Sequence, residues 1–442
     1  MMRRQIIRLC PLLAGMDAIL GVLLLSLLGG FENGLAWIGV SSVISMVIIA
    51  LCAWLSWMSL QELKSLSKKD CVQENIEQQK GVTIEQLSKE MTIIEQTAKD
   101  ALPDAPEQAD RTIAVHEISG FDRLSAGGDK AFSVSDVTAW LRGFRENGAY
   151  PLALPSDGRV FVDARESAFS NVWVIGDVHG DLDAVTAAFA FADEWTISHS
   201  ADSPAVFSLG DLFDRGDKSL ETLLKFLGEA MKRPGKVGWI AGNHDWGFHF
   251  DEQRGIFASK TYPNEFTMWL NAHLDDASIV AFGREVASLC GKLPAAAVLP
   301  GDILLVHGGV PHRDLQERIV SIADLEASDM RHDFIWDRFH ESLGRKRPSR
   351  EANCQLGVQD VLDFLSIMEN NCGVPCKAIL RGHDHFAERL RIYEAYAPCS
   401  VVTLNTCSTL KDSAYSAAPL DFTPPAIVHC LNGTIEAFKI AK

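Results

Sequence analysis

The chain has 442 residues, 47% of them hydrophobic, with 41 Lys and Arg against 58 Asp and Glu, a formal charge of −17. That length accommodates two to three domains of about 150 residues with ample core, and the acidic balance without a long Lys/Arg run argues against gripping nucleic acid by its phosphates. Ten cysteines without two close doublets argue against a disulfide scaffold or zinc-type pairing. Cys372 and Cys376 flank the loop Cys-Gly-Val-Pro-Cys and read as structural thiols rather than a redox couple or metal half-site.

The amino-terminal stretch holds two apolar runs. Leu12–Gly30 carries one charge, Asp17, and Leu35–Met58 carries none, giving 19 and 24 residues. About 20 helical residues cross a bilayer. Residues 1–60 are therefore expected to form a transmembrane helical hairpin, with helices at about 10–30 and 35–58 and the turn Phe31–Gly34 between them. Arg3, Arg4 and Arg8 precede it and Lys64, Lys68 and Lys69 follow it, which places both termini and the rest of the chain on the cytoplasmic side. Trp37, Trp54 and Trp57 lie near the ends of the second run, where interfacial aromatics belong. The second uncharged run argues against a cleaved signal peptide.

Residues 61–110 read as a polar helical spacer and linker. Ile84, Leu87, Met91 and Ile94 make one helical stripe, too short for a coiled coil, before Ala101–Pro106 breaks the pattern. Residues 111–165 form an accessory segment with one clear helix, started by Ser133 with Asp136 three positions on and carrying Trp140, Leu141 and Phe144. No chemistry is assigned to it, and no fixed-period repeat is evident anywhere.

From Asn171 one arrangement recurs: a short apolar run, then a polar cluster with glycine. Val172–Ile175 precedes Gly176-Asp177-Val178-His179-Gly180, Ala205–Leu209 precedes Gly210-Asp211, and Val237–Ala241 precedes Gly242-Asn243-His244-Asp245. Ile303–Val306 precedes His307-Gly308-Gly309, and Ala378–Leu380 precedes Arg381-Gly382-His383-Asp384. Such runs read as buried strands. The helical stretch Leu182–Trp195 makes the first unit βαβ, and ligands of such sheets gather at the carboxyl ends of strands. The five polar clusters are thus expected to converge on one site.

Asp177, His179, Asp211, Asn243, His307 and His383 are oxygen and nitrogen ligands without a thiolate, which suits manganese, iron or zinc. Six exceed one tetrahedral site, so the expectation is two divalent ions, with Asp177, His179 and Asp211 on one, Asp211, Asn243, His307 and His383 on the other, and Asp211 bridging. Two ions about 3.5–4 Å apart can hold a hydroxide at neutral pH and clamp an anionic ester. Asp214 can orient His244 as the general acid for the leaving oxygen. Arg215 can fork two phosphoryl oxygens, and Arg338 is a candidate second clamp, with Arg331 and Arg381 as rivals. His249, His273, His312, His332 and His385 read as solvated or capping side chains. Trp246 and Phe248 read equally as groove or core.

Gly-Asp-Val-His-Gly, Gly-Asp-Leu-Phe-Asp-Arg-Gly (210–216), Gly-Asn-His-Asp, His-Gly-Gly and Arg-Gly-His, in this order, resemble the signature of the phosphoprotein phosphatase family of calcineurin-like metallophosphoesterases. The resemblance covers residues 166–442 and implies an α/β four-layer metallophosphoesterase fold, two central mixed β-sheets flanked by helices, with a dinuclear metal centre, manganese first. By position it implies the same ligands, Asn243 and Arg215 at the substrate phosphate, and the same roles for Asp214 and His244. Only Trp-x-Arg matches around Arg338. Asp245 replaces the usual Glu of eukaryotic members, and Val401–Cys407 stands where they carry Ser-Ala-Pro-Asn-Tyr, so the chain looks like the bacterial-type or Shewanella-like branches. The implied activity is a membrane-anchored phosphoprotein phosphatase acting by in-line attack of a metal-bridging hydroxide on Ser/Thr phosphomonoesters, with Tyr phosphomonoesters left open. The alternatives are a nucleotide or diadenosine polyphosphate hydrolase, against which Asp214 argues, and an inactive membrane scaffold.

Overall fold

The computed structural model describes residues 113–126, 132–147, 150, 152–344, 354–409 and 421–442. The expected membrane hairpin and spacer lie outside these residues. Among the described residues no helix is long and apolar enough to cross a membrane.

In chain order the strands are β1 (Ala114–Ser119), β2 (Phe161–Asp163), β3 (Asn171–Ile175), β4 (Ala205–Ser208) and β5 (Val237–Trp239). A short antiparallel pair, β6 (His249–Asp251) and β7 (Ile256–Ala258), precedes β8 (Ala296–Leu299) and β9 (Ile303–Val306). The small parallel pair β10 (Arg338–Phe339) and β11 (Gln355–Leu356) leads to β12 (Ala378–Arg381), β13 (Leu390–Tyr393), β14 (Ser400–Leu404), β15 (Ala426–Leu431) and β16 (Thr434–Ala441). One six-stranded sheet has the order β1-β16-β15-β3-β4-β5, and a second has β13-β14-β12-β9-β8-β2. Both are mixed. In the first, β3, β4 and β5 run parallel while β15 is antiparallel to β3, and in the second, β9, β12 and β14 run parallel.

The central strands are apolar on both faces because each face meets a different core. Side chains alternate across a strand, so Val172 and Val174 of β3 join Phe207, Leu305, Leu380 and Val402 in a core shared by the two sheets. Trp173 and Ile175 point the other way, into a core with Val185, Phe189, Leu223 and Phe226 of the helices Leu182–Ser198 and Ser219–Lys232. The same alternation divides β9, with Ile303 and Leu305 between the sheets and Leu304 and Val306 outside. The layers are therefore helix, sheet, sheet, helix.

The helix foreseen at Ser133 runs Val134–Asn147. Ser133 Oγ accepts from Asp136 N at 3.2 Å and the Asp136 carboxylate accepts from Ser133 N at 3.2 Å, a reciprocal cap. The segment expected to precede the catalytic domain contributes an edge strand to each sheet, β1 on β16 and β2 on β8.

Candidate metal centre

The polar clusters follow strand ends of both sheets. Asp177, Asp211 and Asn243 leave the carboxyl ends of parallel β3, β4 and β5, and His307 and His383 leave those of parallel β9 and β12. The site thus straddles two sheets rather than crowning one.

Sharp backbone turns bring the side chains inward. Five of the nine non-glycine residues with positive φ among the described residues are here: His179 at 50°, Asp211 at 54°, Asp214 at 68°, Arg215 at 65° and His383 at 67°. Left-handed backbone costs a β-carbon residue about 1–3 kcal/mol and persists where the surroundings fix it. Two glycines permit close approach. A β-carbon on Gly242 would stand 2.1 Å from Asp211 Oδ1, and one on Gly382 would stand 2.0 Å from Asp177 Oδ1.

Backbone carbonyls orient the imidazoles. His179 Nδ1 faces Phe213 O at 3.1 Å and His307 Nδ1 faces Leu209 O at 2.8 Å, so each Nδ1–H donates outward and leaves Nε2 inward. His179 Nε2 lies 3.8 Å from Asp177 Oδ2 and 3.7 Å from Asp211 Oδ2. His307 Nε2 lies 3.4 Å from Asp211 Oδ2 and 3.0 Å from Asn243 Oδ1. His383 Nδ1 lies 2.9 Å from the same Asn243 oxygen. All six expected ligands are buried and together, with Asp211 between the His179 and His307 groups.

His385 corrects the sequence reading. It is not solvated: Nε2 sits 2.9 Å from Asp177 Oδ2 and 3.2 Å from His179 Nε2. The available signal was its position two residues after His383 in Gly-His-Asp-His.

The electrostatics favour cations. Burial opposes charge on His307, yet Asp211 and Asp177 outweigh it and raise its pKa to about 9. Burial also opposes charge on Asp211, but His307 and His244 hold it well below the usual carboxylate range. Burial drives His383 well below the ordinary imidazole value, with Arg338 adding to the effect. His383 Nε2 is buried without a hydrogen-bond partner, a nitrogen lone pair in want of an acceptor of electrons. Orphaned imidazole nitrogen, buried carboxylates and an amide oxygen suit borderline divalent ions. The clusters of Asp and His could hold such ions.

Beside this cluster His244 Nδ1 meets Asp214 Oδ2 at 2.7 Å, and Asp214 Oδ1 accepts from Phe266 N at 2.9 Å. Burial disfavours the His244 cation, but Asp211 and Asp214 outweigh it and raise its pKa. Asp245 lies behind. Its Oδ2 accepts from Asp211 N at 2.7 Å, Gly242 N at 2.8 Å and Trp239 Nε1 at 3.3 Å, tying two strand-end loops together. Burial and the Asp211 charge push its carboxyl up to about 7.

A polar cavity of about 380 Å³ opens over the cluster, lined by Arg215, His244, Lys260, Trp336, Arg338 and His383 among others. Arg338 reaches it but is paired with Asp384, which Arg381 also binds at 2.8 Å. The rival arginines are structural. Arg331 donates to the carbonyls of Leu293, Gly158 and Arg159, and the fully buried Arg381 donates to Gly308 O and Thr403 Oγ1. Phe248 is core, at 2% exposure.

Residues 170–387 match the family model of the calcineurin-like phosphoesterases. The chain carries a calcineurin-like metallophosphoesterase domain. Such domains act on phosphate esters and use a dinuclear metal centre. Solved structures similar to this phosphoesterase chain include a protein serine/threonine phosphatase from Saccharomyces cerevisiae, with 18% identity, a TM-score of 0.46, and coverage of 70% of this chain and 91% of that one. A proposed diadenosine tetraphosphatase has 17% identity and a TM-score of 0.31 over 63% of this chain and 97% of its own. A cold-active protein-tyrosine phosphatase from a psychrophilic Shewanella species has 14% identity and a TM-score of 0.33 over 62% and 79%.

Proposed function

We propose that the protein is a membrane-anchored, metal-dependent phosphoprotein phosphatase that hydrolyses phosphomonoesters of serine and threonine side chains. The observation that carries this reading is the His244–Asp214 pair, 2.7 Å apart, on the wall of the cavity that Arg215 also lines. A phosphomonoester of an aliphatic alcohol has a poor leaving group, and a proton donor held beside the cleaved bond answers that need.

Asp177, His179, Asp211, Asn243, His307 and His383, joined by His385, would hold two divalent ions, manganese first. When bound, the ions supply Lewis acidity at the phosphoryl oxygens and lower the pKa of water at neutral pH. The remaining work belongs to the chain. Arg215 offers a planar fork of donors to the phosphate. Arg338, braced by Asp384, presents a second guanidinium at the rim. Asp214 fixes the His244 tautomer and stabilises its cation, so that Nε2–H can be given to the departing oxygen. Anchoring on the cytoplasmic face rests on the two apolar runs and their flanking cations.

The test is turnover by the full chain in detergent with added Mn²⁺, across phosphoserine, phosphothreonine and phosphotyrosine peptides and diadenosine tetraphosphate. Faster turnover of phosphoserine or phosphothreonine peptides is expected. Preference for the dinucleotide would move the enzyme to nucleotide chemistry, and silence on all four would restore the scaffold reading.

A further inference from the structure

Sharing Arg215 with the catalytic cavity is a second one of about 310 Å³, lined by Arg215, Asp217, Leu220, Glu221, Glu265 and Trp269 among others. Nothing in the chemistry above uses it. Asp217 and Glu221 are exposed in its lining, Asp217 directly after the segment Gly-Asp-Leu-Phe-Asp-Arg-Gly (210–216) and Glu221 in the first turn of the helix Ser219–Lys232. Glu265 and Trp269 are four residues apart on the helix Glu265–Ala272 and so share a face. Three carboxylates therefore face a space with one cation in its lining, Arg215. That arginine belongs to both cavities, and Glu265 Oε2 accepts its backbone N–H at 3.0 Å. Lys218, which follows Asp217, is paired with Asp183, 3.4 Å distant.

We propose that this cavity receives a basic side chain of the substrate, lysine or arginine, close in sequence to the phosphorylated residue. The inference rests on the phosphoprotein reading and gives it a substrate class. Leu220 and the indole of Trp269 supply an apolar and aromatic wall for the methylenes and cationic head of such a side chain, and Asp217 and Glu221 supply its counter-charges. An extended peptide advances about 3.3–3.6 Å per residue. Because Arg215 lines both cavities, the basic residue belongs close to the phosphorylated one, within three positions.

The experiment uses the full chain with Mn²⁺ and phosphothreonine peptides carrying Lys, Ala or Glu in turn at each of three positions on either side. p-Nitrophenyl phosphate serves as the substrate without flanks. Lysine on one side should raise kcat/KM about tenfold over glutamate, since two exposed ion pairs and a cation–π contact each contribute a small factor, and salt should shrink the ratio. The double variant Asp217→Lys, Glu221→Lys should abolish or invert the preference while p-nitrophenyl phosphate turnover stays unchanged. Equal turnover of lysine and glutamate peptides, or a preference that survives the double variant, overturns the subsite and leaves the phosphatase reading standing. Hydrolysis of diadenosine tetraphosphate with no turnover of any phosphopeptide overturns both.

Discussion

His244 is a buried imidazole whose Nδ1 is committed to Asp214, and its protonated form is favoured by two carboxylates against the cost of burial. The proposed role of general acid matters in proportion to how badly the leaving group needs a proton. His244→Asn should lower kcat on a phosphoserine peptide by about 10²–10⁴-fold, and on p-nitrophenyl phosphate, whose leaving phenolate is stable, by far less. Equal losses on the two substrates would remove His244 from the role of proton donor. Neighbouring charges show how much of this was legible in the sequence. Strand-end Asp, Asn and His announce themselves because glycine and an apolar run frame each one. His385 does not, since its approach to Asp177 depends on the left-handed turn at His383 two residues earlier. Nor could sequence separate Arg338 from Arg331 and Arg381: all three are arginines near aromatic or glycine residues, and only the backbone carbonyls to which the latter two donate show that they are spent on holding the fold.

Elements were readable where both faces are buried and obscure where they are not. β3, β4, β9 and β12 appear as apolar runs because each is packed between a sheet and a helical layer. β1, Ala-Val-His-Glu-Ile-Ser, is mostly exposed on a sheet edge and carries no such pattern, so its membership of the sheet emerges only from its pairing with β16. The helix Ser219–Lys232 illustrates a contribution that pH can isolate. Glu229 is 3% exposed and is bound by Lys225 at 2.9 Å and Lys232 at 3.1 Å, with Arg233 also on it and reaching Asp193 of the helix Leu182–Ser198 at 2.8 Å. Burial would raise its pKa, but Lys225 and Arg233 lower it from 4.5 to about 2. A depressed carboxylate stabilises the fold above its unfolded pKa, and that stability fades as pH falls from about 4.5 through about 2. The contribution is at most about 3 kcal/mol, less after solvent screening. Thermal unfolding of Glu229→Gln should accordingly show a lower Tm than wild type at pH 7 and a shallower decline below pH 4.5. Parallel pH profiles would mean that the cluster adds nothing to stability.

At the scale of the whole chain, two bodies of sequence ask for different solvents. Residues 12–30 and 35–58 hold one charge between them, while the chain as a whole carries −17. A protein so divided should sediment with membranes, resist extraction by alkaline carbonate and dissolve in detergent; deletion of residues 1–60 should release it into the supernatant. Recovery of the intact chain in the carbonate supernatant would refute the anchor. The phosphoesterase domain has its own long-range dependence. In the sheet order β1-β16-β15-β3-β4-β5, the hairpin of β15 and β16 is wedged between the first described strand and the strand that leads to Asp177. Asp177 itself is bridged to Asn405, beyond β14. During synthesis β3 emerges some 250 residues before the partner it needs, 175 against 427 in register. Until that hairpin leaves the ribosome, one edge of β3 has no strand beside it, a surface suited to chaperones or to wrong pairings. A growing chain therefore carries β3 as an unfinished sheet edge, and the loop bearing Asp177 and His179 is fixed only after a hairpin made some 250 residues later has docked.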